Sequence, residues 1–241
     1  MDSHTSNLRL VTRVETQDIL NEYYANTYRM MRREQFYKGH YDNLVIDLVI
    51  PKTKKKYHTT ISYHKEVVPN ELRTEETEFS WYYPKLMETL HDFARVYGRG
   101  FLSRALLTEI SNEEPHKDYT HIDIGCFYIF HDRYHFVVHS KGSEMTVEGV
   151  TKIFTTGDIF FINNKLPHNG GHSFSNEKRI HVFLDVLPRN PFKIVFMYGK
   201  WLFYYGSIHR KNYSLTRRLS GVEDLFVALY LSLFAYRKNR K

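Results

Sequence analysis

His121 and Asp123 stand two residues apart in the stretch Pro115-His-Lys-Asp-Tyr-Thr-His121-Ile-Asp123-Ile-Gly. On a β-strand, residues i and i+2 project from the same face, so a histidine and an aspartate at this spacing can converge on one metal ion. His116 and Asp118 form a second triplet of the same kind just upstream, and the stretch therefore offers two candidate pairs. With 14 histidines in the chain, one such triplet is expected by chance. The downstream residues add weight. Gly157-Asp-Ile-Phe-Phe-Ile-Asn-Asn-Lys-Leu-Pro-His168 reads as a turn, a buried strand and a histidine on the following turn, and Arg179-Ile-His-Val-Phe-Leu-Asp-Val186 reads as a further strand that opens with arginine. Two histidines and one carboxylate make a facial triad, which leaves positions on Fe(II) open to 2-oxoglutarate and oxygen. An arginine guanidinium, planar and permanently charged, is the group best suited to grip the far carboxylate. Taken singly, Asp123 and His168 read as polar loop residues and Arg179 as a surface ion-pair partner; their order together points to a site.

Composition limits the alternatives. The single cysteine, Cys126, excludes an intramolecular disulfide and the Cys-rich zinc modules, so any metal rests on histidine and carboxylate. A net charge of +7 suits an anionic partner such as nucleic acid, and the runs Pro51-Lys-Thr-Lys-Lys-Lys56 and Arg237-Lys-Asn-Arg-Lys241 are the basic segments that could serve it. A solvated hairpin tip and a helix C-terminus complemented by cations account for the same runs, and no helix-turn-helix, zinc-finger or RNA-recognition signature accompanies them. Met1 to Val14 has no apolar leader, and the apolar run Leu225 to Tyr236 is too short to span a bilayer, so a cytoplasmic protein without membrane contact is expected.

Positioning such residues needs a scaffold, and 42% hydrophobic residues, with 16% aromatics, provide a core. Ile19, Leu20, Tyr23, Tyr24, Tyr28 and Met31 predict an amphipathic helix over about 16–35. Asn43–Ile50 and Tyr57–Tyr63 are β-branched, aromatic runs that predict a hairpin, and Pro69–Ser80 predicts a loop. Pro84–Tyr97, with Leu86, Met87, Leu90, Phe93 and Ala94 on one face, predicts a helix closed by Gly98 and Gly100. From Phe101 to Val186, short strand-like runs divided by Gly, Asn and Asp predict a jelly-roll or barrel. Phe192–Ile208 is apolar and aromatic, and a helix from about Val222 to Arg237 opens with the capping box Ser220-x-x-Glu223. The expected division is an N-terminal helix, hairpin and helix (1–100), a core (101–187) and a C-terminal extension (188–241).

The series His121-Ile-Asp123, Asp132-Arg-Tyr-His135, Gly157-Asp, Asn163-Asn-Lys-Leu-Pro-His168 and Arg179-Ile-His-Val-Phe-Leu-Asp-Val186 resembles the aspartyl/asparaginyl β-hydroxylase domain family, especially its short bacteriophage-type members, over residues 101–187. The resemblance implies a mainly β, cupin-like double-stranded β-helix with flanking helices. It implies Fe(II) bound by His121, Asp123 and His168, 2-oxoglutarate held by Arg179 at its far carboxylate and contacted by His135, and Arg133 lying toward cosubstrate or substrate. The distance to Asp132-Arg-Tyr-His135 favours His121/Asp123 over His116/Asp118, which would then sit on a mouth loop formed by a short insertion around Ser111–Thr120. Tyr119, Phe127, Tyr128 and Phe130 are candidates to line that mouth, although aromatics in such numbers more often belong to a core. The implied activity is hydroxylation of an Asp, Asn or other amino-acid side chain, in the host cytoplasm for a phage-encoded chain, with a small molecule such as a free amino acid, a protein or peptide side chain and a nucleic-acid base all open as substrates. Residues 1–80 and 190–241 have no counterpart in the family, and substrate choice is expected to lie there and in the loops. The competing readings are a jelly-roll binding module without turnover and a nucleic-acid-associated protein.

Overall fold

Between Arg179 and Val186 the chain alternates strictly, with Ile180, Val182, Leu184 and Val186 on one side and Arg179, His181, Phe183 and Asp185 on the other. A strand of this pattern shows two chemically different faces. The computed structural model describes residues 7–27, 31–32, 43–51, 74–112, 116–117, 120–121, 123, 129–172, 177–200 and 225–233. It places this strand at the centre of the larger of two antiparallel sheets.

From residue 100 onward the strands pass back and forth between those sheets, with the β8–β9 hairpin kept within the smaller one. β5 (Gly100–Asn112), β7 (Asp132–His139), β10 (Asp158–Ile162) and β12 (Glu177–Pro188) enter the larger sheet, in the order β10-β7-β12-β5. β6 (His116–Lys117), β8 (Ser143–Val147), β9 (Val150–Phe154) and β11 (His168–His172) form the smaller, in the order β6-β11-β8-β9. This interleaving is the connectivity of a double-stranded β-helix, the cupin-like jelly-roll. N-terminal strands widen the larger sheet: β1 (Leu8–Arg13) pairs with β10, and β3 (Asn43–Pro51) pairs with β5 and also with β2 (Met31–Arg32) and β4 (Thr74–Glu76).

Each face of the larger sheet has its own core. On one, Phe136, Val138, Ile180, Val182 and Leu184 pack with Ile19 and Tyr23 of helix α1 (Gln17–Asn26) and with Leu86, Leu90 and Phe93 of helix α2 (Pro84–Val96). On the other, Val137, Phe160 and Ile162 meet Met145, Val147 and Phe154 of the smaller sheet. The Phe154 and Phe160 rings stack there with centroids 3.7 Å apart. Ile194 and Tyr198 of helix α3 (Pro191–Lys200), and Ala228 of a helix over 225–233, close this second cluster. The β8–β9 connection needs two residues in the left-handed region, and Glu148 and Gly149 adopt φ of 49° and 79°, the pattern of a type I′ hairpin turn. Gly157, at φ 91°, lies where a Cβ would come within 2.6 Å of the Val14 carbonyl.

Several expectations change. The first helix stops at Asn26 rather than near 35, because Met31 and Arg32 pair with β3, and tertiary pairing overrides local helical period. The segment expected as a loop over Pro69–Ser80 supplies β4 and a 3₁₀ turn at Glu78–Tyr82; its acidic composition reflects an edge strand with an exposed side. Tyr57–Tyr63, the second half of the expected hairpin, and the Ser220-x-x-Glu223 box lie outside the described residues. The apolar run after Pro191 begins as a helix, its first amides bonded by the Asn190 side chain. Among the described residues, no helix is long and apolar enough to cross a membrane.

The stacked Phe154–Phe160 pair joins the two sheets, so Phe154→Ala is expected to lower the unfolding free energy by about 3–5 kcal/mol in urea titrations. A loss below about 1 kcal/mol would show that the sheets hold together without it.

Candidate metal centre

His168 is the first residue of β11, not a turn residue as the sequence reading had it. Its backbone N–H donates to the His121 carbonyl and its carbonyl accepts from the His121 N–H, both at 2.9 Å, and the Asp123 N–H donates to the Asn164 carbonyl at 3.0 Å. These bonds lay His121 and Asp123 antiparallel along residues 164–168. One ligand atom from each of His121, Asp123 and His168 can thus be chosen so that all three lie within 4.8 Å of one another. The two imidazole centroids are 4.4 Å apart. Of the alternative pair, His116 lies in β6 and pairs by backbone with His172, and Asp118 lies outside the described residues.

Neighbouring groups fix which atoms are offered. His168 Nδ1 lies 2.8 Å from the Leu166 carbonyl, which can only accept, so Nδ1 carries the proton and Nε2 keeps its lone pair. Burial lowers the His168 pKa to about 4, which keeps the ring neutral. Asp123 Oδ2 accepts from Asn164 Nδ2 at 2.9 Å and from Arg133 Nη1. The Asn164 Oδ1 in turn accepts from Lys165 Nζ at 3.3 Å, which sets the amide the right way round. With Oδ2 occupied twice, Oδ1 is the oxygen presented to a metal. Burial by itself would raise the Asp123 carboxyl, but Arg133, His168 and the Asn164 bond outweigh it and hold the pKa at about 2. Lys165, which also donates to the His131 carbonyl at 2.8 Å, is lowered by burial to about 8 despite the nearby Asp132 and Asp185.

Arg133 is tied on its other side. Its Nε and Nη2 grip the two Asp185 oxygens at 2.8 Å each, and Arg104 Nη1 stands 3.8 Å from Asp185 Oδ2. Arg104, Asp185, Arg133 and Asp123 therefore form a line of alternating charge in which the two cations balance the two anions. Arg133, expected to face cosubstrate or substrate, has three of its donors on protein carboxylates. Arg179 is 4% exposed on the inner face of β12, and its Nη1 donates to the Gly171 carbonyl at 2.6 Å. His135 is buried on β7, edge-on to Phe183 with centroids 4.5 Å apart. Burial holds its pKa, and that of His181, well below the imidazole range.

Phe130, a candidate for the mouth, is instead fully buried and stacks on Tyr198 of α3, because the second core extends to this end of the barrel. Tyr119, Phe127 and Tyr128 lie outside the described residues. Sequence reasoning overlooked Asn164, Lys165 and Asp185. Asp185 was accessible through parity, since it shares with Arg179 the non-aliphatic side of an alternating strand; Asn164 and Lys165 carry no such local signal.

No family model and no curated protein matches the chain. Among solved structures it is similar to the non-heme α-ketoglutarate-dependent epimerase SnoN of nogalamycin biosynthesis, with 13% identity, a TM-score of 0.48 and coverage of 77% of this chain and 79% of that one. It is similar also to AviO1 from Streptomyces viridochromogenes (10%, TM-score 0.47, 75% and 89%) and to a Pseudomonas putida prolyl-4-hydroxylase (8%, TM-score 0.44, 78% and 95%). At such identities no residue role carries across.

Two outcomes follow from the electrostatics. Asp185→Asn leaves Arg104 and Arg133 buried without their shared anion, and is expected to cost about 3–5 kcal/mol of stability in denaturant unfolding; an unchanged midpoint would contradict the charge line. His168 has a folded pKa of about 4 against an ordinary 6.5, so between these values the unfolded chain binds a proton that the folded chain does not. Stability of the metal-free protein should fall as pH drops below about 6.5, by about 2 kcal/mol at pH 5 from His168, with His135 and His181 acting in the same direction. The Asp123 contribution is present above 3.8 and disappears only as pH falls toward about 2. Equal urea midpoints at pH 8 and pH 5 would show that these rings are not buried neutral.

Proposed function

We propose that this chain is an Fe(II)- and 2-oxoglutarate-dependent hydroxylase of the aspartyl/asparaginyl β-hydroxylase type, with His121, Asp123 and His168 as metal ligands. The observation that carries the reading is the convergence of these three side chains, with His168 Nδ1 and Asp123 Oδ2 each occupied by protein groups so that Nε2 and Oδ1 remain for a metal. Two imidazoles and one carboxylate suit Fe(II) and leave positions open, whereas the one-cysteine chain has no thiolate set for a closed structural zinc site. Bound there, iron would supply oxygen activation coupled to decarboxylation of 2-oxoglutarate.

The chain's own residues supply geometry and charge. Asn164 and Arg133 hold Asp123 in one rotamer and keep it anionic, and the Leu166 carbonyl holds the His168 ring in one tautomer. Arg179, a cation on the inner face of β12, is assigned to the far carboxylate of 2-oxoglutarate, and His135, on the same face of β7, to the cosubstrate between that end and the metal. The neutral state of His135 makes it a hydrogen-bonding group rather than a second counter-ion. The substrate assigned is an Asp, Asn or other amino-acid side chain, free or in a peptide.

Anaerobic titration with Fe(II) and 2-oxoglutarate tests this through the weak visible charge-transfer absorption that requires both. The parent should develop the band, His168→Ala should lose it, and Arg179→Ala should need roughly 30-fold more 2-oxoglutarate or higher, as expected for removing one partner of a buried charge pair. A folded parent that develops no band would refute the hydroxylase reading.

A further inference from the structure

Helix α3 is apolar on two sides. Ile194 and Tyr198, one turn apart, are buried in the second core, while Phe192, Val195 and Phe196 form a stripe turned to solvent, with Phe192 83% and Phe196 66% exposed. The helix over 225–233 is built alike. Ala228 and Ser232 are buried, and Phe226, Tyr230 and Leu233, again at helical spacing, are exposed. The Ser232 hydroxyl donates to the Arg189 carbonyl at 2.8 Å, two residues before α3 begins, so the helices approach each other there. Together they hold six of the fourteen large exposed hydrophobic side chains among the described residues. An ordinary surface helix is apolar on its inner side alone, and a second exposed stripe marks a surface that meets something else.

Charge is segregated to the same part of the chain. Residues 188–241 hold eleven lysines and arginines against two acids, Glu223 and Asp224, a net charge of +9, while the whole chain carries +7. The remainder is therefore slightly acidic, and the basic excess belongs to the extension alone. Lys193 and Lys200 stand on α3 beside the exposed stripe, with Lys200 Nζ 5.9 Å from the centre of the Phe196 ring. Aromatic and aliphatic side chains flanked by cations suit a helix that lies in the plane of a bilayer surface, its apolar stripe toward the acyl chains and its cations among anionic headgroups. A second copy of the chain is a poorer occupant, because two strongly basic extensions would have to meet. A nucleic acid would use the cations and could stack on the rings, but it offers nothing to Val195 and Leu233.

We propose that α3 and the helix over 225–233 seat the protein peripherally on an anionic lipid surface, with Phe192, Phe196, Phe226 and Tyr230 entering the headgroup region. The expectation of no membrane contact rested on spanning length, which a helix lying flat does not need. The seat is independent of the metal centre and goes beyond the hydroxylase reading. It gives the extension a role of its own, which is to hold the barrel where an anionic membrane is.

Co-sedimentation of the full chain with lipid vesicles tests this. The parent should bind vesicles of phosphatidylcholine containing about one-third phosphatidylserine roughly tenfold more tightly than vesicles of phosphatidylcholine alone, and raised salt should erode that margin. Phe192→Ser with Phe196→Ser, and separately Phe226→Ser with Tyr230→Ser, should each weaken binding to the phosphatidylserine vesicles roughly tenfold while keeping the parent's urea midpoint, because the side chains removed are exposed. A parent that stays in solution beside phosphatidylserine vesicles would overturn the seat. So would two variants that bind as the parent does, which would leave only the attraction of a basic segment, or lowered urea midpoints in both, which would make these side chains part of the fold. An oligonucleotide bound more tightly than the vesicles, and released by the same substitutions, would assign the surface to nucleic acid instead. A parent dimer that the substitutions dissociate would assign it to a second copy. None of these outcomes bears on whether the chain holds iron, so the hydroxylase reading stands or falls separately.

Discussion

Arg104, Asp185 and Arg133 are buried in a line that ends at the largely covered Asp123, and each charge is balanced in the interior by its neighbour. An isolated ion in such a place costs several kcal/mol, so removal of one member deprives its neighbours of charge compensation. The terminal member of the line, Asp123, is the only carboxylate of the candidate metal centre among the described residues, so the negative charge of that centre is maintained from strands β5, β7 and β12. The backbone bonds between His121 and His168 then need only bring the remaining two ligands to the same place.

The central strand lets stability and chemistry share one element. Its aliphatic side packs against α1 and α2 and anchors the larger sheet, and its other side presents Arg179, His181 and Asp185 to the interior. Because the two sets alternate, a slip of register by one residue would bury the charged set against the helices and expose the aliphatic set to the site. The pairing of β12 with β5 along its whole length and with β7 from Ile180 to Val186 opposes such a slip. The inner face accepts neutral imidazoles and, at Thr108, a hydroxyl without a hydrogen-bond partner among the described residues, which a purely structural core would avoid, and the helix-side core offsets that burden.

Helix α3 adds a further tie. Lys193 pairs with Asp132, the first residue of β7, while Ile194 and Tyr198 enter the second core, so the C-terminal extension is fastened to the strand that carries Arg133 and His135. Residues 188–200 are in this way part of the barrel wall, and the N-terminal strands β1 and β3 extend the same sheet at its two ends.

The sequence by itself determined the candidate ligands, the strand parity and the class of fold. His121-Ile-Asp123 and Arg179 stood out because strand periodicity and ligand chemistry are local, whereas the preference for that pair over His116/Asp118 came from the family resemblance, and the run of short strands between turns told of a jelly-roll or barrel. Only the tertiary structure decided how Asp123 is held, because Arg133, Asp185, Asn164 and Lys165 act through contacts between segments far apart in the chain. It also decided that Arg133 is largely committed to protein carboxylates, that Phe130 is core, that the acidic 74–76 segment is an edge strand, and that Thr108 lies opposite His181. Those outcomes depend on the pairing of β5, β7 and β12, and no local periodicity encodes which strands become neighbours.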